Sequence, residues 1–160
     1  MNILVTGGCG FIGTNYIKKL IKKKKFKITN IDKLSYASKN NNHEILKNNN
    51  RYKFIKGDIN NKSLIESVLN SSNPDYIINF AAESHVDNSI TNPARFLKSN
   101  FMGTFCLLEE IRKYLKNMRK SKSKYFKFHH ISTDEVYGDM KDILFDESSN
   151  YQPSSPYSAS

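Results

Sequence analysis

Apolar positions along this chain follow two alternating rhythms. Asn2–Thr6 (Asn-Ile-Leu-Val-Thr) is a short β-branched run that predicts a first strand. Ile12, Tyr16, Ile17, Leu20 and Ile21 then recur at helical spacing. Phe26–Ile31 predicts a second strand, ending at Asp32, and Tyr52–Lys56 a third. Leu64, Ile65, Val68 and Leu69 outline a short helix. Tyr76–Ala82 is apolar without alternation, broken only by Asn79, which is the pattern of a strand buried on both faces. Leu97, Phe101, Phe105, Leu108, Ile111 and Leu115 repeat every three or four residues and predict one long helix from about Pro93 to Met118. Tyr125–Ser132 predicts a fifth strand, and the runs Asn40–Asn42 and Asn48–Asn50 read as loop. Strands alternating with helices predict an α/β fold, a doubly wound parallel sheet joined by right-handed crossovers, with strand order 3-2-1-4-5.

Composition narrows the class. A chain of 160 residues suits one domain, and neither an internal repeat nor an interdomain linker is visible. The longest apolar run, about seven residues, is far short of the roughly 18 that a membrane span needs. The N-terminus has no basic segment ahead of its apolar residues, so it does not read as a signal peptide. Cys9 and Cys106 make no disulfide framework. These features predict a soluble cytoplasmic protein with no membrane partner. The formal net charge is +10, yet lysine supplies 21 of the 25 cations and arginine four, beside 19 asparagines. Proteins that read bases rely on arginine for bidentate contacts, so the charge does not predict a nucleic-acid partner. The runs Lys22–Lys25 and Lys120–Lys124 fall between predicted elements, where solvated charge costs little, with attraction of small anions as a by-product.

Candidate chemistry begins at Gly7-Gly8-Cys9-Gly10-Phe11-Ile12-Gly13. A bare G-x-G-x-x-G is weak evidence. This one leaves a predicted strand, opens a predicted helix, and is followed by Asp32 nineteen residues after its last glycine. Glycines there permit a tight turn and close approach of backbone N–H groups to a pyrophosphate on the positive end of a helix. Asp32 can accept from both ribose hydroxyls and would repel a 2′-phosphate, so NAD is expected over NADP. Lys33, next in sequence, tempers that preference. Thr133-Asp134-Glu135 is the second signal. Adjacent carboxylates at the mouth of a parallel sheet make poor structure, because like charges repel and desolvation costs several kcal/mol. A dehydration needs such a pair, one group to remove a carbon-bound proton and one to protonate the departing hydroxyl. Ser155 can cap a short helix with Pro156 in its first position, which puts Tyr157 in the first turn.

The glycine spacing, with Asn79-Phe80-Ala81-Ala82-Glu83-Ser84-His85-Val86-Asp87, Ser132-Thr133-Asp134-Glu135-Val136-Tyr137-Gly138 and Tyr157-Ser158-Ala159-Ser160, resembles the extended short-chain dehydrogenase/reductase superfamily, and within it the dTDP-glucose 4,6-dehydratases. The resemblance runs over residues 1–160 and matches about the first half of such an enzyme. It therefore implies an incomplete NAD-binding Rossmann domain, ending before the last strands and the substrate subdomain. It implies cofactor contacts at Gly7, Gly10, Phe11, Ile12, Gly13, Asp32, Lys33, Leu34, Ser35, Asp58, Ile59, Phe80, Ala81, Ala82, Ser84, Ser99 and Tyr157. Substrate contacts fall on Ser84 and Thr133, and the catalytic roles on Asp134 as acid, Glu135 as base and Tyr157 as the proton acceptor of the first step. The implied reaction converts a nucleoside-diphosphate glucose (dTDP- or UDP-linked) to its 4-keto-6-deoxy sugar through transient reduction of NAD, in a homodimer. The lysine of the Tyr-x-x-x-Lys signature would come immediately after Ser160, so the 160 residues alone are expected to be inactive. The alternatives are a sibling epimerase or decarboxylase, and a non-catalytic NAD or sugar-nucleotide binding module. His85 invites a general-base reading, but the family uses tyrosine in that role; His129 and His130 read as sheet residues rather than ligands, Met102 and Cys106 as packing, and nothing has metal-ligand spacing.

Overall fold

A computed structural model of the chain describes residues 1–38, 44–139 and 144–160, with the side chain of Ile45 excepted. The asparagine run at 40–42, read above as loop, lies outside the described residues. Five strands, β1 (Asn2–Thr6), β2 (Lys27–Asp32), β3 (Tyr52–Lys56), β4 (Tyr76–Asn79) and β5 (Lys127–His130), form one parallel sheet in the order β3-β2-β1-β4-β5. This is the expected doubly wound arrangement. β1 runs down its middle, pairing Thr6 with Ile31 on one side and with Asn79 on the other.

Two apolar layers sandwich the sheet. Ile3, Val5, Ile28 and Ile78 point to one face and pack on Ile17 and Ile21 of helix α1 (Phe11–Ile21). Leu4, Ile31 and Ile77 point to the other and pack on Ile65, Val68 and Leu69 of α2 (Lys62–Ser72) and on Leu107 and Ile111 of a later helix. Alternate residues of one strand thus feed opposite layers, as the period of two requires. The Asn61 side chain caps α2 by accepting from the Leu64 amide at 3.1 Å.

The segment after β4 differs from its sequence reading. β4 ends at Asn79 rather than Ala82, and a six-residue helix α3 (Val86–Thr91) precedes the long one. α3 is too short to show periodicity, and Asn92 with Pro93 breaks the chain before helix α4 (Pro93–Phe96). The long helix is real but not uniform. α4 passes into a π turn over Leu97–Met102, which then continues as α5 (Gly103–Lys116). The wider turn shifts the faces that Ser99 and Asn100 present, and such turns recur at functional sites. The lysine-rich stretch after α5 carries a further short helix, α6 (Lys120–Ser123). β5 is an edge strand of this sheet and is shorter than Tyr125–Ser132, with His129 and His130 exposed. A 3₁₀ turn (Asp134–Tyr137) and α7 (Pro156–Ala159) close the described chain. Among the described residues no helix is long and apolar enough to cross a membrane.

Candidate functional site

The site lies at the C-terminal edge of the sheet, where β1 and β4 diverge towards opposite neighbours. Ligands of open α/β sheets sit in the crevice at this switch in strand order. A cleft of about 340 Å³ opens there. Its floor is the loop from β1 to α1. Gly7 has φ +72°, and a Cβ on it would stand 2.5 Å from the Ala81 amide nitrogen. A Cβ on Gly13 would meet the Gly7 carbonyl oxygen at 2.6 Å. Only glycine satisfies both positions. Gly10 caps α1 in extended conformation without a side-chain hydrogen bond, and no acid occupies the first turn. The positive end of an eleven-residue helix is therefore presented with its amides unscreened by carboxylates, as an anion requires.

Asp32, 5% exposed, closes the floor from the end of β2. Its Oδ2 accepts from the Cys9 amide at 2.8 Å, and its Oδ1 from the Leu34 amide at 2.8 Å and the Ser38 hydroxyl at 2.9 Å. This tempers the expectation that it is free to take two ribose hydroxyls, because three protein donors already hold it. Beneath the loop, Asn30 Oδ1 accepts from the Gly8 amide at 3.1 Å while its Nδ2 donates to the Tyr52 hydroxyl at 2.9 Å. Burial and the nearby Asp32 charge push the Cys9 thiol up to about 12, so it stays protonated and packs. Just beyond β3, Asp58 accepts from the Asn60 amide and side chain, both at 2.9 Å. Burial alone would push the Asp58 carboxyl up, but those hydrogen bonds and the charges of Lys33 and Lys98 hold it below the usual aspartate range.

The cleft gathers most of the residues singled out in the sequence. Gly7, Gly10, Phe11, Ile12 and Gly13 line it from the loop, and Asp32, Lys33 and Ser35 from the end of β2. Asp58 and Ile59 line it after β3, Phe80, Ala81, Ala82 and Ser84 after β4, Ser99 in the π turn, and Tyr157 in α7. Leu34 does not line it; its backbone, at φ +59°, turns to donate to Asp32. Thr133, Asp134 and Glu135 do not line it; they follow the lining residue Ser132 directly in the chain. Asp134 and Glu135 are both exposed, so the desolvation cost argued from sequence is not incurred in this chain. The Thr133 hydroxyl caps their 3₁₀ turn by accepting from the Glu135 amide at 3.3 Å. α7 packs against that turn, and its Ser155–Ser158 capping box, with Pro156 in the first turn, matches the sequence reading. Tyr157, half-buried, meets the ring of Phe96 edge-on at 6.3 Å. His85 is exposed outside the cleft, and no group of His, Cys, Asp and Glu among the described residues could hold a metal.

Sequence reasoning missed what supports this cleft. Glu83 is fully buried, with Lys33 Nζ at 2.8 Å and Arg95 Nη2 at 3.2 Å from its Oε1. Asn100 clamps the same residue, accepting from its amide at 2.8 Å and donating to its carbonyl at 3.0 Å. Asn100 also donates to Ser160 Oγ at 2.9 Å, which ties α7 to the π turn. The signal available in the sequence was an acidic residue within an otherwise apolar strand exit, Phe80-Ala81-Ala82-Glu83.

Comparison with known proteins agrees with this architecture. The chain is 48% identical over its whole length to dTDP-glucose 4,6-dehydratase of Haemophilus influenzae, covering 48% of that protein. It is 46% identical to the Escherichia coli enzyme of the same description, again over its whole length and 47% of the relative. A crystal structure of dTDP-glucose 4,6-dehydratase from Streptomyces venezuelae, with NAD bound, superposes with a TM-score of 0.87 at 35% identity, covering 99% of this chain and 48% of that one. Structures of UDP-glucose 4-epimerases share the fold at lower identity. The chain spans about half the length of the curated relatives it matches. The family model described as GDP-mannose 4,6 dehydratase matches residues 4–160, and the chain belongs to that family.

Proposed function

We propose that residues 1–160 form the NAD-binding part of a nucleoside-diphosphate-glucose 4,6-dehydratase, completed in the family's full length by a C-terminal substrate domain. The observation that carries this reading is Tyr157 lining the same cleft as the glycine loop while its helix α7 packs on the Asp134–Tyr137 turn that bears the paired acids. The cleft fits NAD. The glycine loop leaves the first amides of α1 open and would hold a pyrophosphate, Asp32 would take the adenosine ribose, and Asp58 and Ile59 would flank the adenine. Bound there, NAD would supply a hydride acceptor for C4 that gives the same hydride back at C6 once water has left.

The chain's own residues supply the proton chemistry. Tyr157 takes the proton of the sugar 4-hydroxyl as C4 is oxidised. The resulting ketone acidifies C5, so Glu135 can remove the C5 proton while Asp134 protonates the departing 6-hydroxyl. Thr133 and Ser84 hold the sugar. Epimerases share the fold, and the paired acids Asp134 and Glu135 favour the dehydratase over them. Leu97, Phe101, Phe105 and Leu108 remain exposed along one stripe of the α4–α5 helix, which fits the same stripe on a second copy in a homodimer. Buried thiols at Cys9 and Cys106 are consistent with a reducing cytoplasm.

Calorimetry on the chain should show NAD binding more tightly than NADP. Asp32→Ala should narrow that gap and, by orphaning three donors, also lower unfolding stability by about 3 kcal/mol. Equal affinities in the unaltered chain would refute the role of Asp32. Turnover is the second test. With added NAD, the 160 residues alone should release no 4-keto-6-deoxy sugar from dTDP-glucose or UDP-glucose, whereas a chain extended to the family's full length should do so. In the extended chain Asp134→Asn and Glu135→Gln should each slow turnover by roughly 10²–10⁴-fold. A C4 epimer as product would favour the epimerase, and brisk turnover by the short chain would show that α7 needs no continuation. Light scattering of the extended chain should give a dimer that Phe101→Glu with Phe105→Glu converts to monomer; an unchanged mass would remove this stripe from the interface.

A further inference from the structure

Among the described residues, Lys33 is the one cation lining the cleft, and it directly follows Asp32. A mobile ammonium at that position would offset the repulsion of Asp32 and admit a phosphate on the ribose 2′-oxygen. It is not mobile. Lys33 Nζ stands 2.8 Å from Glu83 Oε1 and donates to the Ser99 hydroxyl at 2.9 Å. Withdrawing it would leave the Glu83 carboxylate, 0% exposed, with Arg95 alone. The other oxygen, Oε2, is buried and has no hydrogen-bond partner, so nothing in reserve could absorb the lost charge. Leaving a buried carboxylate undercompensated costs far more than breaking a surface pair.

Glu83 cannot follow the lysine towards the cleft either. Asn100 grips its backbone through both the amide and the carbonyl. Arg95 is held in turn over the Tyr36 ring, its guanidinium carbon 4.8 Å from the centroid. We propose that Glu83 is a positioning residue for coenzyme choice: it keeps the Lys33 ammonium on Ser99 and away from a 2′-phosphate, and so widens the preference for NAD that Asp32 begins. The assignment rests on the cofactor reading above and adds the residue that enforces it. Specificity here comes from denying the wrong coenzyme a cation, as well as from repelling it.

Glu83→Gln keeps the shape and removes the charge, and the Lys33 and Arg95 side chains, 31% and 45% exposed, both reach water without it. Calorimetry should find NADP binding to E83Q roughly tenfold tighter than to the unaltered chain, with NAD changed by less than about twofold. Adding Lys33→Met to E83Q should abolish the gain. A merely structural role would weaken both coenzymes together, and that result, or an unchanged NADP-to-NAD ratio, overturns the proposal while the cofactor reading of the unaltered chain stands. Failure of the unaltered chain to bind either coenzyme overturns the cofactor reading and this proposal with it. An ammonium-selective ¹⁵N NMR spectrum of the unaltered chain gives a readout independent of how E83Q folds. A protected Lys33 signal that saturating NADP leaves in place supports the proposal, and a signal displaced by NADP overturns it.

Discussion

One carboxylate fixes the geometry of the cleft. Asp32 accepts from the Cys9 amide in the glycine loop, the Leu34 amide in the turn after β2, and the Ser38 hydroxyl farther on. Three stretches of chain that do not share a strand are thereby held to one point at the end of the sheet. Hydrogen bonds to an ionised acceptor are the stronger kind, and this one is almost wholly out of water. The loop's path depends on it, and the exposed first turn of α1 depends on the loop. Leu34 adopts a left-handed conformation so that its amide can reach the carboxylate, a local strain consistent with the same constraint.

The opposite wall is built on different physics. The π turn sets Ser99 and Asn100 so that one meets Lys33 and the other clamps Glu83 and reaches Ser160. Phe96, fully enclosed at the end of α4, presents its edge to Tyr157. A single helical segment thus contacts Lys33 in the cleft, a buried acid and the helix bearing the tyrosine. Because the contacts of Ser99 and Asn100 are polar and internal, they rigidify the wall only while every partner is present.

Much of this was legible in the sequence, and the reason is periodicity. Buried strands such as Ile77–Ile78 announce themselves because a layer of core must be filled at a fixed spacing, whereas the stripe Leu97–Leu115 announces a helix by its period although only Ile111 and Leu115 of it pack on the core. The glycine loop was legible because steric demand leaves one residue type at Gly7 and Gly13. The cap at Ser155 and Pro156 was legible because helix starts have their own chemistry. What escaped was pairing between residues distant in sequence. Nothing near Glu83 in the chain points to Lys33, 50 positions earlier, and a one-residue widening of a helix leaves the apolar pattern intact. The acid pair was legible as chemistry but not as environment. Asp134 and Glu135 are solvated here, so the reasoning that adjacent buried carboxylates must be functional did not apply to them in these residues.

The dependence of the cleft on Asp32 can be read directly by amide hydrogen exchange on the chain without nucleotide. If the carboxylate holds the glycine loop and the following turn before any ligand arrives, the Cys9 and Leu34 amides should exchange at least about a hundredfold more slowly than unstructured amides. Exchange of both at the unprotected rate would show that the loop is ordered by the ligand, and would contradict the account.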